Sequence, residues 1–325
     1  MDAYRIAHTD LVVSRLGYGA GSLLSWDKEP VNADDITKAT RLVHVAYDNG
    51  ITLFDHADLY AYGKSEEVFG EVLKQSPGLR NKIVIQSKCG QVFSEGGLGS
   101  PIRVDLSRKH IVSAVEGSLK RLGTDRLDIL LLHAVDALVE PQEVAAAFEY
   151  LHRSGKVRYF GVSNYNTPQI ALLEKSVRQP IVVNQIQLSL ANPGPLTEGM
   201  QFTLRIAKGG RMSDESIGLA GSGTIDYCRT NGIQVQAWSP LRGVLKLPAD
   251  ASPQLKATVQ LVAELARKKN TTPAAIALAW LLRHPAGIVP ILGSDKPEHL
   301  VEDCAADRIN LSREEWYDLF AATAA

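Results

Sequence analysis

The chain has 325 residues, a formal net charge of −1 at pH 7 and a hydrophobic fraction of 45%. These values are ordinary for a soluble globular protein with a large core, and they leave no basic surface for nucleic acid or an anionic membrane. The sequence therefore predicts a small-molecule partner, and it makes no prediction of an oligomeric state.

The three cysteines, Cys89, Cys228 and Cys304, are widely spaced and form no CxxC pair. Such a set supports neither a disulfide framework nor a zinc cluster, and no HExxH motif indicates a catalytic metal. The N-terminus lacks a basic region followed by a long apolar stretch, and no later apolar run approaches the length of a membrane span. We therefore expect a cytoplasmic protein without a bound metal.

Short apolar runs of β type alternate with helical segments along almost the entire chain, which is typical of repeated βα units. The predicted strands cover residues 16–19, 51–54, 83–87, 127–132, 159–162, 182–188, 235–238 and 288–292. The predicted helices cover residues 34–48, 65–73, 107–122, 141–153, 168–175, 223–230, 254–269, 273–283, 297–305 and 312–322. Eight such units predict an α/β fold, a single-domain (β/α)8 TIM barrel over residues 1–325, although an open doubly wound sheet would use the same local pattern.

Two connections are longer than the others, at about residues 89–105 and 191–222. Each follows the C-terminal end of a predicted strand, where a parallel barrel keeps its chemistry. Long connections at such places favour loops that cover a site over connections that only join elements. Among the helices, Ser107 and Thr167 are the predicted N-caps.

Four polar residues, Asp55, Tyr60, Lys88 and His133, lie at or just beyond the C-terminal ends of apolar runs that are predicted to be buried strands. Free tyrosine ionises near pH ~10, so alone it is a poor proton donor at neutral pH. A lysine ammonium beside the phenol favours the phenolate, and a carboxylate such as Asp55 can keep that lysine charged and oriented. An imidazole such as that of His133 could hydrogen-bond a carbonyl oxygen.

A proton donor of this kind has a purpose if a nicotinamide delivers a hydride to the carbonyl carbon. Suitable cofactor ligands follow the later strands: Ser163, Asn164, Gln185, Trp238 and Ser239. Amide side chains can grip a carboxamide edge, and an indole can stack on a nicotinamide ring. After the eighth predicted strand, Gly293 and Ser294 open onto a helix N-terminus, which is a usual phosphate position in barrels.

Successive segments of the chain resemble the motifs of the aldo-keto reductase family, in order and over nearly the whole sequence. The segments are FDHADLY at 54–60, SKCG at 87–90, LLH at 131–133, GVSN at 161–164, NQ at 184–185 and PILGS at 290–294. The resemblance implies a barrel that binds NADPH without a Rossmann domain and reduces aldehydes or ketones to alcohols. It implies Tyr60 as the proton donor, Lys88 and Asp55 as the pair that tunes it, and His133 as the residue that orients the carbonyl.

The resemblance also implies a set of cofactor contacts. Ser163, Asn164 and Gln185 would hold the carboxamide, and Trp238 would stack on the nicotinamide. The remaining predicted contacts are Gly19, Ala20, Asp55, Ser239, Leu241, Gly293, Ser294, Lys296, His299 and Asp303.

The sequence departs from the family where many NADPH-dependent members carry a cation for the 2′-phosphate. Gly293 and His299 occupy those positions, and Lys296 is the nearest cation that could substitute. Use of NADH beside NADPH is therefore possible. Trp26 and Tyr62, with His133 and the insertion at 191–222, are the predicted walls of the substrate pocket.

Other interpretations of these residues stay open at this stage. His56 and Asp58 are expected to be solvent-facing or structural, Trp238 to be either a cofactor contact or a core aromatic, and Lys296 and His299 to be either ligands or helix-surface residues. A second hypothesis for the whole protein is a nucleotide-sensing binding protein, as in the channel-associated β subunits of the same family. That hypothesis predicts tight cofactor binding with little turnover.

Overall fold

In the computed structural model, which describes residues 1–27, 29–94, 97, 99–198, 200 and 221–323, eight parallel strands close into a barrel. In chain order the strands are Gly17–Gly19, Leu53–Asp55, Val84–Cys89, Leu127–Leu132, Val157–Ser163, Ile181–Gln187, Gln234–Trp238 and Val289–Leu292. The eighth strand pairs with the first, at Ile291–Gly17 and Leu292–Tyr18. The predicted TIM barrel is confirmed, and the alternative of an open doubly wound sheet is wrong because the barrel is closed.

Helices follow the barrel strands and cover them. They are Ala33–Asp48, Lys64–Gln75, Arg108–Leu122, Pro141–Arg153, Thr167–Glu174, Gly194–Thr197, Thr224–Thr230, Pro253–Lys268, Pro273–Leu282, Pro297–Cys304 and Arg313–Thr323. Ser107 caps its helix as predicted. The helix Thr167–Glu174 is capped by Asn166 rather than by Thr167, because the Asn166 side chain accepts a hydrogen bond from Gln169 N. None of the helices in the described part of the chain is long and apolar enough to cross a membrane.

Two antiparallel hairpins add to the barrel. Ala3–Arg5 pairs with Val12–Ser14 before the first barrel strand, and residues of this hairpin, such as Val13, share an apolar cluster with Leu53 of the barrel wall. The second hairpin pairs Gln91–Phe93 with Ile102–Val104, inside the stretch predicted as a long loop. In the other predicted insertion, residues 199 and 201–220 lie outside the described part of the chain.

Alternate residues of the barrel strands face the interior, because side chains in a strand alternate between its two faces. In the strand Val84–Cys89, Val84 belongs to the apolar cluster that includes the N-terminal hairpin, whereas Gln86 and Lys88 make polar contacts inside the barrel. The interior therefore changes from apolar near the N-terminal hairpin to polar near the C-terminal ends of the strands. That polar end carries the candidate site.

Candidate active site

A buried chain of hydrogen bonds links Asp55, Lys88 and Tyr60. Lys88 Nζ donates to Asp55 Oδ2 at 2.6 Å, to Tyr60 Oη at 3.0 Å and to the backbone oxygen of His56 at 3.0 Å. These three acceptors match the three N–H groups of an ammonium. Because Lys88 and Asp55 are only 1% and 2% exposed, the lysine has a fixed position instead of the mobility of a surface side chain.

Burial and the neighbouring charges act in opposite directions on Tyr60 and Lys88. Burial raises the pKa of Tyr60 and outweighs the lowering effect of Lys88. Burial disfavours the charged form of Lys88, but the attraction of Asp55 and Tyr60 outweighs it and raises the pKa of Lys88. At neutral pH the site therefore holds a protonated phenol against a charged ammonium.

The His133 ring meets the Tyr60 ring edge-on, with the two ring centroids 5.9 Å apart. Its backbone N–H donates to the backbone oxygen of Cys89 at 2.8 Å, which fixes the residue at the strand end. Burial, assisted by the charge of Lys88, lowers the pKa of His133 well below its usual value. The imidazole is therefore neutral in the physiological pH range.

The backbone after Tyr60 is unusual. Ala61 and Tyr62 both have positive φ, at 47° and 60°, a left-handed conformation that residues with a Cβ rarely adopt. Such strain costs on the order of 1 kcal/mol or more per residue and is concentrated at functional sites. The two residues connect Tyr60 to the helix Lys64–Gln75, so the strained turn holds the phenol at the barrel mouth.

Aromatic rings form a wall beside Tyr60. The Trp26 ring meets the rings of Tyr60, Tyr62 and Phe93 edge-on, with centroid distances of 6.0, 6.5 and 6.4 Å. Phe93 belongs to the second hairpin and also lies 5.5 Å from the Tyr62 ring. The predicted pocket residues Trp26 and Tyr62 thus lie together, and Phe93 is an addition that the sequence did not indicate.

A cleft extends from Tyr60 and His133 across the barrel mouth. Its first part is lined by Gly19, Asp55, Ser163, Asn164, Gln185 and Trp238, among others. It continues through Ser239 and Gly293, which both parts share, to Leu241, Arg242, Ser294, His299 and Asp303. Of the predicted cofactor contacts, Ala20 is buried behind this lining, and Lys296 is exposed at the start of the helix Pro297–Cys304, outside it.

The amide-bearing end of the cleft is held by its own hydrogen bonds. Trp238 Nε1 donates to Asn164 Oδ1 at 2.9 Å, and Asn164 Nδ2 donates to Ser163 Oγ at 3.0 Å. Ser163 Oγ in turn donates to the backbone oxygen of Gln185 at 2.9 Å. Asn164 has a left-handed φ of 64°, which asparagine tolerates better than most residues.

This end of the cleft fits a nicotinamide. Both N–H groups of Gln185 are directed into the barrel, but its Oε1 has no hydrogen-bond partner among the described residues and can accept from a carboxamide. The partly exposed Trp238 indole supplies an aromatic surface next to that amide. The amide oxygen therefore suits the carboxamide of the cofactor, and the indole suits its ring.

The model of the Aldo/keto reductase family matches residues 15–323. The chain belongs to this family. It is therefore an NAD(P)H-dependent oxidoreductase, of a family that reduces carbonyl groups of small molecules.

Related proteins match this aldo-keto reductase over almost their full length. It is 34% identical over 320 residues to the uncharacterized oxidoreductase YcsN of Bacillus subtilis (strain 168), a match that covers 96% of this chain and 95% of that protein. It is 32% identical over 324 residues to a 6-dehydroglucose reductase of Agrobacterium fabrum, with 97% and 96% covered. The solved structure of the thermostable aldo-keto reductase Tm1743, in complex with the inhibitor epalrestat, has a TM-score of 0.78 at 26% identity, with 99% of this chain and 100% of that chain covered.

Of the two alternatives expected for His56 and Asp58, solvent-facing or structural, the structure supports the structural one for His56. His56 is fully buried and packs its ring 4.4 Å from that of Phe69 on the helix Lys64–Gln75. Asp58 has a buried Oδ1 without a hydrogen-bond partner in the described part of the chain. His56 therefore has a structural role between the barrel and the following helix, whereas Asp58 is partly exposed and buries one carboxylate oxygen.

Sequence reasoning also missed Arg242, the only arginine or lysine among the residues that line the described cleft. It makes no ion pair with any residue that the structure describes, and it lies in the same part of the cleft as Ser294. The feature of the sequence that could have indicated Arg242 is its position four residues after the strand Gln234–Trp238.

Proposed function

We propose that this aldo-keto reductase reduces aldehydes or ketones to alcohols, with NADPH as the hydride source and Tyr60 as the proton donor. The observation that carries the proposal is the buried chain from Asp55 through Lys88 to Tyr60, which ends in the cleft. A charged lysine held against a phenol has a clear chemical use where an oxygen must be protonated.

The proposed reaction needs one proton and one hydride. A reduced nicotinamide, when bound, supplies the hydride to the carbonyl carbon. Tyr60 Oη gives its proton to the oxygen on which negative charge develops, and the O–H bond of the alcohol forms. The Tyr60 phenolate that remains is stabilised by the Lys88 ammonium at 3.0 Å, until solvent returns a proton.

His133 is proposed to orient the carbonyl. Its Nδ1 is buried and has no hydrogen-bond partner among the described residues, so we place the proton of the neutral ring on Nε2. An Nε2–H donor beside Tyr60 can hydrogen-bond the carbonyl oxygen without competing as an acid. The low pKa of His133 supports this role, because burial, assisted by the charge of Lys88, disfavours a charged imidazolium.

For the cofactor, we propose that Ser163, Asn164 and Gln185 hold the carboxamide and that Trp238 contacts the nicotinamide ring. The continuous cleft to Ser294 supports an extended cofactor with its phosphates at the far end. The charge of Arg242, which pairs with no carboxylate among the described residues, supports NADPH over NADH in that part of the cleft.

For the substrate, the wall of Trp26, Tyr62 and Phe93 supports carbonyl compounds with an apolar or flat portion next to the carbonyl. Because a relative is named a 6-dehydroglucose reductase, aldehyde sugars belong in the same screen. Sugar rings also present an apolar face, so both classes are compatible with the wall.

The test is a titration with NADPH and NADH, followed by tryptophan fluorescence, and then turnover with aromatic aldehydes, aliphatic ketones and aldehyde sugars. We expect NADPH oxidation with at least one class, and its loss in Tyr60→Phe with cofactor affinity unchanged. Full turnover in Tyr60→Phe would contradict the proton-donor role. Tight binding without turnover of any carbonyl would instead favour the nucleotide-sensing hypothesis.

A further inference from the structure

Three glutamine side chains, Gln86, Gln185 and Gln236, meet inside the barrel directly behind Asp55. We call them the amide cluster; none of the three is more than 1% exposed. Burying an amide is costly unless its hydrogen bonds are made, and aliphatic residues would fill a barrel interior at lower cost. Packing alone therefore gives no reason for three glutamines here.

The amide cluster is attached to the carboxylate oxygen that Lys88 does not use. Asp55 Oδ1 accepts from Gln86 Nε2 at 2.6 Å and from Gln185 Nε2 at 2.9 Å. The other oxygen, Oδ2, accepts from Lys88 Nζ. The carboxylate is thus held from two sides, by amides from the barrel interior and by the ammonium from the mouth.

Gln236 closes the cluster. Its Oε1 accepts from Gln86 Nε2 at 2.8 Å and from Gln185 Nε2 at 2.9 Å, and its Nε2 donates back to Gln86 Oε1 at 3.0 Å. A carboxylate only accepts hydrogen bonds, so the amides next to Asp55 must present their N–H groups to it. That constraint fixes the orientation of all three amides and directs their donors towards the charge.

Strand register explains why these residues meet. Asp55 is the partner of Gln86 on neighbouring strands, and Gln185 is the partner of Gln236 on another neighbouring pair. The two pairs face each other across the barrel axis in one layer. Lys88 lies one layer nearer to the mouth, two residues beyond Gln86 on the same strand.

We propose that Gln86 is a positioning residue for the proton donor: supported by Gln236, it fixes the Asp55 carboxylate against Lys88, and thereby fixes Lys88 against Tyr60. This inference rests on the proposed function of Tyr60. Gln86 is fully buried and does not line the cleft, so it acts through Asp55 and not by contact with cofactor or substrate. Without it, Asp55 keeps one amide donor and is free to rotate away from Lys88.

The test compares Gln86→Met with a matched control, Gln234→Met. Methionine keeps the volume and removes the amide. Gln234 is also a fully buried glutamine, but within the part of the chain that the structure describes its side chain accepts from Gln236 alone and makes no hydrogen bond to Asp55. We expect Gln86→Met to lower kcat about tenfold or more, the usual effect of losing a hydrogen bond to a charged group. NADPH affinity should stay within about twofold of the wild type, the usual result for a residue outside the binding site.

A second measurement separates positioning from general damage to the barrel. Single-turnover rates are compared for Asp55→Asn and for the double variant Asp55→Asn with Gln86→Met. We expect the second substitution to have no further effect, because its route to Tyr60 is already lost. The pH profile of kcat should shift in Gln86→Met and not in Gln234→Met.

A crystal structure of Gln86→Met gives a readout that does not depend on turnover. We expect the Asp55 carboxylate to be rotated and the 2.6 Å contact with Lys88 to be lengthened or lost. An unchanged Asp55–Lys88 contact would overturn the inference, as would equal loss of kcat in the Gln234→Met control. Absence of carbonyl reduction by the wild type would instead contradict the proposed function, while the structure of the variant would still decide the role of Gln86.

Discussion

The Lys88 ammonium lies 3.0 Å from the Tyr60 hydroxyl, with Lys88 buried and Tyr60 partly exposed in the cleft at the barrel mouth. In the proposed reaction this contact makes Tyr60 a better acid, because the positive charge favours the phenolate that would form when the proton leaves. Burial acts in the opposite direction: it raises the pKa of Tyr60 and keeps the phenol protonated at neutral pH.

Replacement of Lys88 by methionine removes this charge and keeps most of the apolar stem. We predict a fall of about 100-fold or more in kcat, within the range that general acid catalysis contributes. The pKa of Tyr60 should rise further, because Lys88 is the group that lowers it. Steady-state kinetics measures the fall in kcat, and the pH dependence of kcat measures the shift in the Tyr60 pKa. Wild-type kcat in the variant would contradict the assignment.

His133 should contribute no ionisation near neutral pH. A free imidazole titrates near pH ~6.5, but the pKa of His133 is well below that value because of burial and Lys88. We therefore predict that any inflection in the pH profile of kcat between about pH 5.5 and 8 remains in His133→Asn. An inflection near pH ~6.5 that disappears in this variant would show instead that the imidazole is charged in the resting enzyme.

Arg242 should determine the preference between NADPH and NADH. It lies in the cleft with Ser294, whereas Lys296 lies outside the lining. We predict that Arg242→Ala weakens NADPH binding about tenfold, as expected for a charge-assisted contact with phosphate, and leaves NADH binding nearly unchanged. Lys296→Ala is the matched control; selective loss of NADPH in that variant would place the phosphate at the helix start instead.

Asp58 should make stability depend on pH. Burial, with the nearby Glu66 carboxylate, raises the pKa of Asp58 to about 7, although Arg121 opposes the shift. A carboxyl whose pKa is higher in the folded state stabilises the fold at low pH, and this contribution is lost as the pH rises from about 4 to about 7.

We predict that Asp58→Asn removes this loss. The difference in unfolding free energy between the variant and the wild type should therefore shift in favour of the variant by roughly 2–3 kcal/mol when the pH rises from 5 to 8. One pKa unit corresponds to about 1.4 kcal/mol. Denaturant unfolding at both pH values measures the difference. Asp250→Asn, a change at an exposed carboxylate, is the control, and an equal pH dependence in both variants would contradict the prediction.

The sequence by itself determined the order of the eight βα units and the placement of Asp55, Lys88 and His133 at strand ends. Both depend on local information, because apolar runs, helix caps and strand-end positions are properties of short segments. Parallel strands bring their C-terminal ends to one face, so strand-end residues come together in any barrel with this order.

Only the tertiary structure decided what lies across the barrel and beneath the helices. Gln86 and Gln236 are 150 positions apart in the sequence and meet because closure of the barrel and strand register place them in one layer. The burial of the Asp58 Oδ1 atom and the contact of Phe93 with Trp26 likewise arise from packing between separate segments. Local patterns carry no information on such distances, since the same glutamine in a strand can face solvent, helix or interior until its neighbours are in place.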